Sequence, residues 1–329
     1  MTNSTDRSKE ILDLCHSWVS ASTAADGTIQ ISGSSEEFRL RNNGVEFHTL
    51  SYNELRAACI GLSRVLLRPG LNTVIDFDHM LFWSWCGEIF ASTAASYFGV
   101  DEREPQQLFG LACRAALAET YRPDHRGWEE NRDRLMAMEP NSRELVTNAH
   151  VVLVYLAFPL LEAILRKTCS AYVTPNGSVV TSFDKGHGGR GSYSIGDRCS
   201  NFGHLLWLLY DRVAGPELVD GLDQQRAGLR ALESNTDPFG LLFGWRNSSL
   251  HGQTALPTIG GTVYNTAILI ALDAVRADYD ALREKIVERV RWQAATDQLT
   301  SGYRSPWSYY PPWPLQRAAA PMDARRSPE

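Results

Sequence analysis

At 329 residues, with 43% hydrophobic and 10% aromatic side chains, the chain carries more apolar material than a minimal domain needs, which excludes a wholly disordered polymer and predicts two domains. A formal net charge of -6 and a pI near 5.8 exclude nucleic-acid binding through a broad positive field, so any RNA contact has to be local. The basic residues are 28 Arg against 4 Lys, a bias that suits forked phosphate contacts but follows as readily from genomic base composition.

Six cysteines, Cys15, Cys59, Cys86, Cys113, Cys169 and Cys199, lie far apart without a CxxC pair or zinc-site spacing, as expected of reduced thiols in a cytoplasm. The polar N-terminus has no basic start followed by an apolar run. The longest apolar stretch, 151–161, falls short of the roughly 20 residues a bilayer needs. The expectations are a cytoplasmic protein with no membrane partner, and a buried helix over that stretch.

In chain order, residues 8–20 have the spacing of a short amphipathic helix. Residues 27–50 change to strand character. Phe38 and Leu40 alternate with polar neighbours before Asn43–Gly44, as Val45 and Phe47 do after it, which predicts a half-buried β-hairpin around that turn. Ser51 with Glu54 has capping-box spacing and opens a helix to about residue 67, which Pro69–Gly70 stops. Helices follow over about 73–97 and 105–121, and a polar link over 123–140 sets the domain boundary.

Asn141 with Glu144 starts the next helix, whose apolar content over 145–165 exceeds that of a one-sided surface helix and places it at a domain centre or interface. Pro159 is expected to kink or split it near Ala157. Six glycines between 174 and 196 exclude regular helix there and predict a loop or irregular hairpin. Helices over 201–213 and 222–234 follow, and Pro238-Phe-Gly breaks the chain. One long helix is predicted over 262–294, where Ile268, Leu272, Val275, Tyr279, Leu282, Ile286 and Val290 recur at three and four residues. Residues 296–329 hold six prolines and no helical period, as in a tail or arm. The expected fold class is mainly α: an N-terminal helical domain with a small β-hairpin (1–140), a C-terminal helical bundle (141–295), and the tail.

The chemistry concentrates at Arg246-Asn-Ser-Ser-Leu-His251-Gly252. An Arg five positions before a His is weak by itself, since 28 Arg and 8 His supply about 0.7 such pairs by chance. Specificity comes from Asn247 directly after the Arg, Gly252 directly after the His, the apolar lead 241–245 and the long helix behind. With the upstream helix Leu160-Leu-Glu-Ala-Ile-Leu-Arg166, the pattern over about 141–295 resembles a HEPN domain, whose signature is Arg, a polar residue, three to five variable residues, then His.

On a helix Asn247 and His251 share a face, and Arg246 reaches the same phosphate from one step round. RNA can be cut without a metal when a ribose 2′-OH attacks the adjacent phosphate. Histidine titrates near neutrality and serves as proton acceptor or donor. Arginine grips the phosphate through paired hydrogen bonds and stabilises its developing charge, and asparagine orients either partner. No metal or cofactor is expected. One chain supplies one Arg and one His; HEPN family members set two motifs face to face, so the resemblance implies a homodimeric endoribonuclease. It also implies a toxin or antiviral role, with an antitoxin or activating partner.

The alternative is that Arg246 pairs with a carboxylate, His251 caps or packs in the bundle, and Gly252 ends a turn. The domain would then dimerise or bind RNA or protein without catalysis. Glu162 is a supporting candidate that could orient Arg246 or His251, yet its i, i+4 spacing to Arg166 equally suits a surface ion pair. Lys185 and Arg190, with His187 and Arg198 nearby, are candidate RNA contacts in the glycine-rich segment, or merely solvated charges. Trp307, Tyr309, Tyr310 and Trp313 with Arg304 could stack bases, but an arm packed on its own protein or on a partner is favoured. His79 lacks a second ligand at metal spacing, and Trp83 and Trp85 read as core.

Overall fold

The computed structural model describes residues 4–16, 19–23, 29–33, 39–67, 77–92, 97–118, 133, 136–186, 190–252, 257–299 and 309–310. The protein is mainly helical, as its periodicity predicts. The order is α1 (Ser4–His16), hairpin strands β1 (Val19–Thr23) and β2 (Ile29–Gly33), α2 (Arg39–Asn42), α3 (Tyr52–Leu66), α4 (Phe77–Phe90) and α5 (Arg103–Ala116). After the link come α6 (Pro140–Thr147), α7 (Ala149–Thr168), short strands β3 (Phe183–Asp184) and β4 (Ser192–Tyr193), and α8 (Phe202–Leu208), which runs into a π-helical turn over Leu209–Val213. The last helices are α9 (Pro216–Leu232), α10 (Pro238–Leu250), α11 (Pro257–Ala274) and α12 (Tyr279–Leu299).

Two adjacent glycines determine how the central helices stack. At Gly260 a Cβ would lie 3.1 Å from the Leu153 and Val154 side chains of α7 and from the Val154 backbone nitrogen. At Gly261 it would lie 3.0 Å from Leu66 of α3 and 3.4 Å from the Trp83 indole of α4. α11 therefore fits between α7 on one side and α3 and α4 on the other, at a separation where an added Cβ would make its neighbours shift by a few tenths of an ångström. Around this stack α9 lies against α11, and α5, α8 and α10 against α7.

Polar contacts lock the layers. The Trp83 indole N–H donates to the Asn265 side-chain oxygen at 2.5 Å, and the Trp85 indole N–H to the Tyr279 hydroxyl at 3.3 Å. Glu88 of α4, fully buried, receives the Arg289 guanidinium of α12 and the backbone N–H groups of Tyr309 and Tyr310 at 2.6 and 2.9 Å. One buried cluster consequently runs from Ile11 to Tyr310. Of the expected boundary, residues 123–132, 134 and 135 lie outside the described residues. The helices on either side of it share this core rather than forming two.

Local signals held where the forces are local. The Glu54 carboxylate accepts from the Ser51 N–H at 2.7 Å and its hydroxyl at 2.8 Å, as the capping-box spacing predicts. Pro69–Gly70 lies outside the described residues. The glycine-rich segment forms an irregular antiparallel hairpin, with Phe183 opposite Tyr193.

Four expectations need correction. The N-terminal hairpin exists, but at 19–33, and Asn43–Gly44 ends α2 instead. Gly44 (φ +78°) donates to the Arg41 carbonyl and Val45 to the Leu40 carbonyl, both at 2.9 Å, the termination that a left-handed glycine allows. Leu40, Val45 and Phe47 are all buried, so a helical turn and a strand leave the same alternation. Phe38 lies outside the described residues. α7 is not split at Pro159, which sits on its exposed face. The break falls at Asn148, whose side chain and backbone both donate to the Glu144 carbonyl, at 2.9 and 3.0 Å. Pro238 begins α10, with Asp237 as N-cap accepting from the Gly240 N–H at 2.8 Å. The helix expected over 262–294 bends by 68° between α11 and α12. Arg276 at the bend pairs with Glu217 at 2.7 Å and Asp273 at 2.8 Å. The period passes through the bend because Ile268 and Leu272 lie in the stretch of α11 that is buried on all sides, 259–272, and Tyr279, Ile286 and Val290 form the buried face of α12.

Gly260→Leu is expected to destabilise the protein by about 1–3 kcal/mol through overpacking against α7. Urea melting measures it, and unchanged stability would contradict the close approach of α11.

Candidate functional site

The motif sits on the last turn of α10. Phe239, Leu241 and Leu242 bury the first half of that helix, and Phe243 stacks 5.7 Å from Phe202 of α8. Arg246, Asn247 and Ser248 then emerge half-buried, and His251 is exposed. The His251 N–H still reaches the Asn247 carbonyl at 3.1 Å, so the helical register persists through the histidine and the i, i+4 pair shares a face. Gly252, at φ +72°, donates to the Ser249 carbonyl at 2.9 Å and ends the helix. Among the described residues neither the Asn247 amide nor the His251 imidazole has a hydrogen-bond partner.

α7 supports this turn twice. The Tyr155 hydroxyl donates to the Ser249 carbonyl at 3.0 Å, tying the end of α10 to α7. Two turns along α7, Glu162 faces two guanidinium groups. One oxygen receives Arg166 at 2.5 Å, and the other lies 3.8 Å from Arg246. Glu162 thus lies within ion-pair distance of both Arg166, its i, i+4 neighbour, and Arg246 of the motif. Arg166 also donates to the Pro175 carbonyl at 3.0 Å, which carries the network into the glycine-rich segment. Two cations share one carboxylate, so the cluster keeps a net positive charge. Its loosest member is Arg246, whose N–H groups have no partner other than Glu162 among the described residues. Such an arrangement can hold an anion beside a histidine able to move a proton.

The remaining candidates fall elsewhere. Lys185 is half-buried with its ammonium 5.1 Å from the Tyr193 ring centre. Arg190 and Arg198 are exposed on the hairpin and form no ion pair with Glu162 or other described acids, and His187 lies outside the described residues. Tyr309 slots between Gly87 and Gly110 with the Arg114 guanidinium 4.2 Å from its ring centre, while Tyr310 stacks 5.1 Å from Trp85. This stretch of the tail packs on its own protein; Arg304, Trp307 and Trp313 lie outside the described residues. His79 is a core residue, its Nε2 3.0 Å from the Leu62 carbonyl. Trp83 and Trp85 are fully buried.

Sequence reasoning missed Tyr155, although its seven-residue spacing to Glu162 puts both on one stripe of α7. It also missed Tyr193 and His204, whose oxygen and Nδ1 lie 2.9 Å apart. No local pattern marks that pair, because only the folded hairpin brings it together. No family model, curated protein or solved structure matches the chain.

Tyr155→Phe removes one hydrogen bond and is expected to cost about 1 kcal/mol. Amide exchange should quicken at His251 and Gly252 but not within α11. Equal exchange in both proteins would show that Tyr155 does not hold the motif.

Proposed function

We propose that the chain is a metal-independent endoribonuclease of HEPN type, with Arg246, Asn247 and His251 as its catalytic residues and Glu162 in support. The observation that carries this is the placement of an exposed His251 and a loosely held Arg246 on one helical turn, above a carboxylate shared by two arginines. An RNA phosphate gripped by Arg246 meets His251 on the same turn. Attack by the 2′-oxygen forms the new O–P bond, and the bond to the 5′-oxygen breaks. One histidine takes the 2′-OH proton and another gives a proton to the leaving oxygen. Arg246 stabilises the extra negative charge on phosphorus, and Asn247, one turn before His251, orients the imidazole or the phosphate. The products are a 2′,3′-cyclic phosphate and a 5′-OH.

The second histidine comes from a second copy. The outer stripe of α7 carries Val152, Tyr155, Leu156 and Pro159 and ends at Glu162, with Tyr155 40% exposed. An apolar stripe beside the motif suits a homodimer that sets two motifs opposite each other. A cytoplasmic toxin or antiviral effector, controlled by an antitoxin or activator, fits such an activity. One observation favours a non-catalytic RNA- or protein-binding module instead: Arg246 already has Glu162 as a partner.

Incubation of wild type, Arg246→Ala and His251→Ala with mixed RNA in EDTA separates the two. Cleavage by wild type with cyclic phosphate ends, and a fall of about a hundredfold or more in each variant, is expected. No cleavage by wild type, or equal cleavage by all three, would contradict the assignment.

A further inference from the structure

The β3–β4 hairpin presses a second polar cluster against α8. Gly186, at φ +74°, leaves no room for a side chain: a Cβ there would lie 2.5 Å from Trp207, so the base of the hairpin is held tightly. Lys185 is half-buried and has no carboxylate partner among the described residues. Its neighbour Asp184 turns to Arg212 at 3.7 Å, and Asp197 accepts the Ser194 N–H at 2.8 Å. A half-buried ammonium set against the Tyr193 ring, with no carboxylate beside it, gains from an anion brought alongside. Burial, and then the charge of Lys185, push the His204 imidazole below its ordinary value, so the neutral ring is the one that faces Tyr193.

Hydrogen-bond polarity is set from one end of the cluster. The Asn201 side-chain oxygen caps α8 by accepting the Gly203 N–H at 2.8 Å, which leaves its amide nitrogen facing His204 Nε2 at 3.5 Å. The neutral imidazole then carries its hydrogen on Nδ1 and donates to the Tyr193 oxygen at 2.9 Å. Tyr193 has only its own hydrogen left to give. The acceptor beside it inside the protein is the Cys199 thiol, much weaker than a phosphate oxygen. Phe183 lies 5.1 Å from the Tyr193 ring and Lys185 covers it as well, so a ligand meets the hydroxyl edge rather than a free face. That selects an anionic oxygen over a stacked base. Cys199 also lies close to Arg166, since a Cβ at Gly177 would meet the Cys199 carbonyl at 3.0 Å and the Arg166 guanidinium at 3.2 Å, and Arg166 shares Glu162 with Arg246.

We propose that Lys185 and the Tyr193 hydroxyl form a phosphate subsite, which holds an RNA phosphodiester flanking the one cut at Arg246 and His251. This rests on the ribonuclease assignment and names the substrate as RNA of at least two phosphates, gripped along the backbone and without base reading at this position.

The test measures binding separately from cleavage. A His251→Ala parent keeps the RNA intact, and a fluorescein-labelled single-stranded RNA oligonucleotide reports binding by anisotropy. Lys185→Ala and Tyr193→Phe are each expected to weaken binding several-fold, and Lys185→Ala to reduce the log–log salt slope by about 0.7. Lys285→Ala, an equal charge change on the exposed face of α12, should leave binding unchanged. Unaltered affinity in Lys185→Ala and Tyr193→Phe, equal weakening by Lys285→Ala, or no RNA binding by the parent overturns the subsite. Cleavage by the wild-type chain is scored independently, so failure of the ribonuclease assignment registers as intact RNA and failure of the subsite as unaltered affinity.

Discussion

The close approach of α11 to its neighbours at Gly260 and Gly261 is the constraint on which the rest depends. Gly260 admits Leu153 and Val154, which fixes the rotation of α7 about its own axis. With those residues turned inward, Tyr155 and, two turns later, Glu162 must face outward. Tyr155 then anchors the last turn of α10, and Glu162 meets Arg246. On its other side Gly261 admits Leu66 and Trp83, so the N-terminal helices buttress the same stack. The position of the motif is thus set by packing some distance beneath it.

Charge explains why the site is compatible with an acidic protein. The chain carries a formal net charge of -6, yet Arg166 and Arg246 share one carboxylate, and Lys185 has none among the described residues. At Glu162 two guanidinium groups meet one carboxylate, whereas Arg276 meets two, Glu217 and Asp273. A phosphodiester would meet a local field despite the overall repulsion, and the affinity would fall steeply with salt.

How much was legible in the sequence follows the range of the forces. The capping pair Ser51–Glu54 acts over three residues and was readable. The motif was readable as a helix end, because Gly252 directly after His251 is a termination signal. Asn43–Gly44 misled because a left-handed glycine closes a helix and a hairpin equally well. The bend at 275–278 was hidden, since the apolar period passes through it unaltered. The shared core was also hidden: Trp83 and Asn265 are 182 residues apart, and no local pattern announces their hydrogen bond. The same limit applies to Tyr193 and His204.

The proposed ribonuclease activity requires the ribose 2′-oxygen to act as nucleophile at a site made by Arg246 and His251. Paired oligonucleotides of one sequence, one RNA and one fully 2′-O-methylated, isolate this step when incubated with the wild-type chain. The RNA is expected to be cut to 5′-OH products while the methylated strand stays intact. Equal cutting of both strands would contradict it.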